Sequence, residues 1–302
     1  MKRKNLILSI VSIVAALALT SCNDFLDITP TGKVIAKTGE EYRALLTYEY
    51  KYFAKDRYMT TLRTDELLMD PKRTSSTDLD AYLDLWRWKD ENPSPTTSYF
   101  SWRNYYHAIY IANYLIEHQK EITDATTDEV EQMVGEAYMM RAYCHFLLVN
   151  LYADDYNHCQ PATTRGVPMQ LEADVNAIPG SSSVEAVYQQ VLADVTEAEK
   201  HLNVINWEEG ENYRFTFFPI DAYDAALAQM EAMTQEELVA EILDERAREL
   251  AFEGHRWYDL RRTTQPALTR TYNGETFTLT PEKYTMRFPT EAVEANPEIE
   301  RW

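Results

Sequence analysis

The chain has 302 residues with 49 acidic against 29 basic side chains, a formal net charge of −20. That balance repels phosphate backbones and anionic lipid surfaces, which argues against nucleic acid as a partner and favours neutral or cationic ligands. Only 8 glycines are present, a composition that suits helices better than a glycine-rich β architecture.

The first segment carries Lys2, Arg3 and Lys4, then an apolar run from Leu6 to Leu19, then Leu19-Thr20-Ser21-Cys22. A basic start, a short apolar stretch and small residues before a cysteine make a secretory signal ending in a lipobox. Residues 1–21 are therefore expected to be removed and Cys22 to carry lipid. A membrane anchor is the alternative, but the uncharged stretch is at the short limit for a span and no basic stop-transfer cluster follows it.

Residues 23–38 read as an extended leader with Pro30 and Gly32, and a helix is expected from near Thr38, with Glu40 and Glu41 in its first turn. Residues 64–103 are loop-rich, holding Pro71, Pro93, Pro95 and three of the six tryptophans. A second helix is predicted over about Tyr99–Gln119 and a third over Thr127–Tyr152, apolar nearly all round and so sandwiched between others. Residues 153–180 form a long connection. A serine among Ser181–Ser183 then caps a fourth helix running to Leu202, with Glu185 placed for a capping box. The stretch 203–233 has no clear period. A fifth helix is predicted from Thr234 to Phe252 with Gly254 as its stop, and Thr269–Leu279 alternates around Asn273-Gly274 as a hairpin. Cys144 sits in an apolar helical run and is expected to be a free buried thiol that does not pair with Cys159. No CxxC or HExxH occurs and the six histidines are scattered singly, so neither metal nor cofactor is expected. Antiparallel helices in series predict a mainly α fold. It would be a tetratricopeptide-like bundle or solenoid with a loop-rich ligand surface and small β-hairpin elements.

Five segments in order resemble the SusD/RagB family of Bacteroidetes outer-membrane lipoproteins. They are the lipobox with CNDFLDITPTG, WRNYYHAIYIANYLIE (102–117), GEAYMMRAYCHFLLVNLYADD (135–155), GVPMQ with SVEAVYQQVLADVTEAEKHL (166–202), and ILDERARELAFEGHRWYDLRR (242–262) closing with RFPTEAVEANPEIERW. In the fifth, Glu245, Arg248, Glu249, Glu253, Arg256, Asp259 and Arg262 alternate in sign at helical spacing. A carboxylate pair for acid–base catalysis is one reading of them. An ion-pair lattice is the better one, because so many arginines hold carboxylates ionised and unfit to donate a proton.

The resemblance implies binding and not an enzyme: a lipid-anchored, surface-exposed outer-membrane protein that holds an oligosaccharide over a SusC-like TonB-dependent transporter. Asp24 and Asp27 resemble the acidic export signal of such lipoproteins. Sugars are gripped by aromatic faces beside planar polar groups, and LDLWRWKDEN (83–92) is the best local match. In an extended strand Trp86 and Trp88 would project to one side, with Lys89, Asp90 and Asn92 behind them and Tyr99 as a weaker addition. The other reading makes both tryptophans core anchors. Trp102 is read as packing the second helix, and Trp207 as an exposed loop aromatic. The chain is shorter than most of the family. Residues 22–302 form one domain whose middle, about 203–233, replaces further helices and ligand loops. A peptide ligand of the RagB kind, or a remnant that binds nothing, are the alternatives.

Overall fold

The computed structural model describes residues 36–52, 56–70, 72–91, 93–98, 100–211, 213–216, 254–296 and 298–299, with Thr234, Val239, Ala240, Ile242, Leu243 and Arg246 between them. The signal segment, Cys22, Asn92, Tyr99, Glu245, Arg248, Glu249 and Glu253 lie outside the described residues, as does most of the fifth predicted helix.

Helix α1 is Gly39–Tyr52, opened by Thr38, whose hydroxyl accepts the Glu41 amide at 3.3 Å while the Glu41 carboxylate accepts the Thr38 amide at 3.0 Å. The loop-rich segment holds an unpredicted helix, α2 (Ser76–Trp86). Ser75 caps it by accepting the Asp78 amide, and the flanking prolines lie outside it, so they delimit the helix and do not break it. Helices α3 (Trp102–His118) and α4 (Thr127–Tyr152) fall where the periodicity placed them. Thr126 and Glu129 form a full capping box at the start of α4. Helix α5 is Val184–His201. Its cap is Ser183, accepting from Ala186. Glu185 is one residue short of capping-box position and instead binds Gln189 at 2.8 Å and the Tyr156 hydroxyl. Just before it, β1 (Arg165–Pro168) and β2 (Ser181–Ser183) pair antiparallel and close the connection between α4 and α5.

The C-terminal part holds α6 (Arg256–Arg262), the predicted hairpin as β3 (Leu268–Tyr272) with β4 (Glu275–Leu279), and α7 (Thr290–Ala295). The hairpin turn is Asn273-Gly274 with φ of 50° and 84°, the left-handed pair that a two-residue turn requires.

Helix α4 is the axis of the molecule, with α3 and α5 packed on it. Its Val134, Ala137, Met140, Cys144, Leu147, Leu148 and Leu151 are almost wholly buried, and each large aliphatic among them contributes about 1.5–3 kcal/mol. Buried charge is paired. Arg141 of α4 donates to both carboxylate oxygens of Asp194 on α5, at 2.9 and 2.6 Å, and to Asn113 Oδ1 on α3 at 2.8 Å. A second core gathers Trp88, Trp257, Leu260, Leu279 and Tyr284. Cys144 and Cys159 are free, and burial pushes the Cys144 thiol well up. No helix among the described residues is long and apolar enough to cross a membrane.

Candidate functional site

The two tryptophans expected to face a ligand are in the core. Trp86, 2 % exposed, ends α2 and donates from Nε1 to the Leu67 carbonyl at 3.0 Å. Trp88, 1 % exposed, has φ 57° and donates to the Arg63 carbonyl at 2.9 Å. The segment is thus a helix end and a left-handed turn, not a strand, and the core-anchor reading holds. The guanidinium of Arg270 on β3 lies 4.7 Å from the Trp86 ring centre and 4.3 Å from that of Trp88. It donates to the carbonyls of Leu62, Trp86 and Thr64, so these indoles tie the hairpin to the N-terminal half.

Lys89 is exposed and lies 3.7 Å from Asp84; Asp90 accepts from Arg63 at 2.8 and 2.9 Å. In the charged motif, Arg256 reaches outside it to Asp65 with two bonds of 3.0 Å, and the Arg256 donors hold the Asp65 carboxyl below its usual range. Asp259 accepts from Arg246 and Arg262. Trp207 is only half-exposed: Arg214 covers its ring at 4.8 Å and its Nε1 donates to the Phe215 carbonyl.

A cleft of about 760 Å³ opens instead along α3, where Trp102, Tyr106 and Tyr110 stand four residues apart on one stripe. Trp102 and Tyr106 rings are 4.9 Å apart. Trp102 does pack as expected, against Tyr152 and Phe288 at 5.2 and 5.3 Å, yet its other face lines the cleft. The facing walls are the loop from Pro168 to Pro179 and helix α7.

That loop is held at several points. Tyr106 Oη donates to the Pro168 carbonyl at 2.7 Å. Asn113, oriented by Arg141, donates to the carbonyls of Gln170 and Glu172 at 3.1 Å each. The Ala173 amide donates to Glu117 at 2.8 Å, and Asn296, just beyond α7, donates to the Pro179 carbonyl at 2.8 Å. The walls are thereby set before any ligand arrives. Polar groups at the cleft are Arg103, His107, Gln170, Asp174 and Glu291. His107 Nδ1 lies 2.9 Å from the buried Glu49 carboxylate, and that hydrogen bond raises its pKa. Val175 and Ile178 form an exposed apolar lip. On the other side of α7 a second hollow of about 300 Å³ is floored by Phe100, Tyr152, Met286 and Phe288 and rimmed by Lys89; Glu291 borders both.

The arrangement suits binding: flat aromatic faces for ring stacking, with dispersed hydrogen-bonding groups around them. Among the described residues no group of His, Cys, Asp and Glu is placed to hold a metal ion. The aromatic spacing of the floor is legible in WRNYYHAIY, but it coincides with the spacing of a packing stripe, which is how Trp102 is read above.

The sequence model of the family described as "Starch-binding associating with outer membrane" matches residues 24–249, and that of the SusD family matches 206–299. The chain belongs to the SusD family. Among curated relatives, SusD-like protein P38 of Formosa agariphila is 27 % identical over 237 residues, 74 % of this chain and 42 % of the relative. SusD-like protein P25 of the same organism is 24 % identical over 130 residues, 37 % of this chain and 24 % of the relative. This SusD-family chain thus spans less than half the length of the curated relatives it matches. A SusD superfamily protein from Bacteroides fragilis shares the fold with a TM-score of 0.63 at 15 % identity, over 89 % of this chain and 100 % of that one. A putative sugar binding protein from Bacteroides vulgatus does so with a TM-score of 0.64 at 12 % identity, over 89 % and 99 %. These likenesses establish the mainly helical SusD-type fold. Members of the family are binding proteins.

Proposed function

We propose that this SusD-family protein captures an oligosaccharide in the α3 cleft and delivers it to a SusC-like TonB-dependent transporter, tethered to the outer membrane through lipid on Cys22. Residues 22–302 are read as one domain with a shortened middle at about 203–233. The observation that carries the ligand reading is the stripe of Trp102, Tyr106 and Tyr110 flooring a cleft of about 760 Å³, its walls pinned by part-buried hydrogen bonds. Sugar rings present CH faces that stack on such a floor, and Gln170, Asp174 and His107 stand where hydroxyls would meet them. The description of the matching family as starch-binding supports a glycan as the ligand class. The lipobox supports the anchor, and the family resemblance supports the transporter.

The test is an affinity screen of the full chain in detergent against host and plant polysaccharides, with Tyr110→Ala and Trp102→Ala alongside. Tyr110→Ala is the cleaner variant, since Trp102 also packs on Phe288. A bound glycan should lose roughly three- to tenfold in affinity with Tyr110→Ala, the range of one aromatic stacking contact, with the melting temperature retained. A glycan that binds both variants as well as the parent chain would move the site elsewhere.

A further inference from the structure

The described arginines of this acidic chain are almost all spoken for. Arg63 faces Asp90, Arg141 faces Asp194, Arg256 faces Asp65 and Arg287 faces Glu91, while buried Arg270 is satisfied by three backbone carbonyls. Arg103, among the described arginine side chains, has neither a carboxylate nor a carbonyl partner. It is exposed, follows Trp102 directly, and lines the same cleft as the aromatic stripe. His107 lies one turn further along the same helix with its Nδ1 engaged by Glu49, which leaves Nε2 free to turn toward a ligand. Arg103 therefore puts an uncompensated positive charge on the α3 wall of the cleft, in a protein of net charge −20. A guanidinium left free beside a sugar-stacking floor offers five donors in a fork that fits a planar carboxylate with two parallel hydrogen bonds.

We propose that the cleft takes an acidic glycan, a chain bearing a uronic acid whose carboxylate seats on Arg103 while neighbouring rings lie on Trp102, Tyr106 and Tyr110. This rests on the reading of the cleft as the glycan site. The opposite rim carries Asp174 and Glu291, and the Asp174 carboxylate already accepts the Asn176 amide at 2.8 Å. Those carboxylates accept from sugar hydroxyls and repel a second acid group, so the site is built for one carboxylate per ligand and not for a densely charged polymer. Local charge here runs against the preference for neutral or cationic ligands that the whole-chain charge suggests.

The experiment measures binding by the full chain in detergent of oligosaccharides that each carry one uronate, prepared from glucuronoxylan, gum arabic and rhamnogalacturonan. Each is compared with its carboxyl-reduced, neutral form and with a singly sulfated oligosaccharide. At least one uronate oligomer should bind roughly ten- to a hundredfold more tightly than its reduced form, the range for a charge-assisted pair of hydrogen bonds. Arg103→Gln should erase that difference by weakening the acidic form far more than the reduced one, and added salt should weaken only the acidic ligand. Tyr110→Ala should weaken both forms together. Equal binding of acidic and reduced forms, or preference for the sulfated oligomer, overturns the uronate proposal while a Tyr110 effect keeps the cleft as the glycan site. Binding of nothing, or binding indifferent to Tyr110, overturns both.

Discussion

His145 shows how a single buried side chain ties the scaffold to the cleft. It sits fully buried on α4, with Nδ1 3.1 Å from the Arg141 carbonyl and Nε2 3.4 Å from the Gln170 amide nitrogen. A carbonyl only accepts and an amide N–H only donates, so Nδ1 carries the proton and Nε2 is bare: the neutral ring alone serves both neighbours. Burial lowers its pKa to about 4. Unfolded, the ring takes a proton near pH 6.5, so between those values the unfolded chain binds more protons. Stability therefore rises with pH across this window and is lost as pH falls through it, by at most about 1.4 kcal/mol per pH unit from this one group. His107 acts with the opposite sign, because Glu49 raises its pKa and its contribution fades as pH rises. The comparison that isolates His145 is the urea midpoint of parent and His145→Gln at pH 7, 5.5 and 4.5. The parent should lose stability more steeply toward acid than the variant. Parallel curves would mean that the ring is already charged or solvated in the folded state.

At the scale of elements, the long helices were legible and the short ones were not. Helix α4 declares itself through an uninterrupted apolar pattern and a capping box at Thr126–Glu129. Helices α2, α6 and α7 are short and take their stability from what they pack on: Trp86 under Arg270, and Trp257 stacked on Tyr284 at 5.1 Å. The alternation of Trp86 and Trp88 reads as a strand, yet a helix end followed by a left-handed residue turns both indoles inward. Of the cleft, only the α3 stripe had a local signal. Its other walls come from Pro168–Pro179 and Thr290–Asn296, which no local pattern links to α3. The fit between α4 and the end of α5 is equally non-local. A Cβ on Gly135 would stand 2.8 Å from the Leu202 backbone nitrogen and 2.8 Å from its Cγ, closer than real Cβ contacts allow. Gly135→Ala gains helix propensity yet must push Leu202 away, and is expected to cost about 1–3 kcal/mol net. Gly180→Ala, whose new Cβ meets nothing nearer than Glu298 at 3.8 Å, is the neutral control. Chemical denaturation of the two variants checks the pair, and equal midpoints would show that the α4–α5 junction yields freely.

For the whole molecule, the question is whether the C-terminal part is a separate module or completes the helical bundle. Buried Arg261 of α6 donates to the carbonyls of Ala153, at the end of α4, and Tyr284. The Met286 amide donates to the Leu151 carbonyl at 2.9 Å, and Trp102 of α3 meets Phe288 edge to face. The second core joins Trp88 from the N-terminal half to Trp257, Leu279 and Tyr284 from the C-terminal one. None of these groups finds another partner if the two parts come apart, and a buried guanidinium left without its acceptors costs several kcal/mol. Separation and unfolding should therefore be a single event. Four of the six tryptophans (Trp86, Trp88, Trp102 and Trp257) lie at or beside this junction, so fluorescence reports on it, whereas far-UV circular dichroism reports mainly on α3, α4 and α5. The two signals are expected to give one coincident urea transition. Loss of the fluorescence signal ahead of the helical signal would instead make residues 254–299 a module that undocks from an intact bundle. The cleft would then open with it, because α7 and Asn296 form one of its walls.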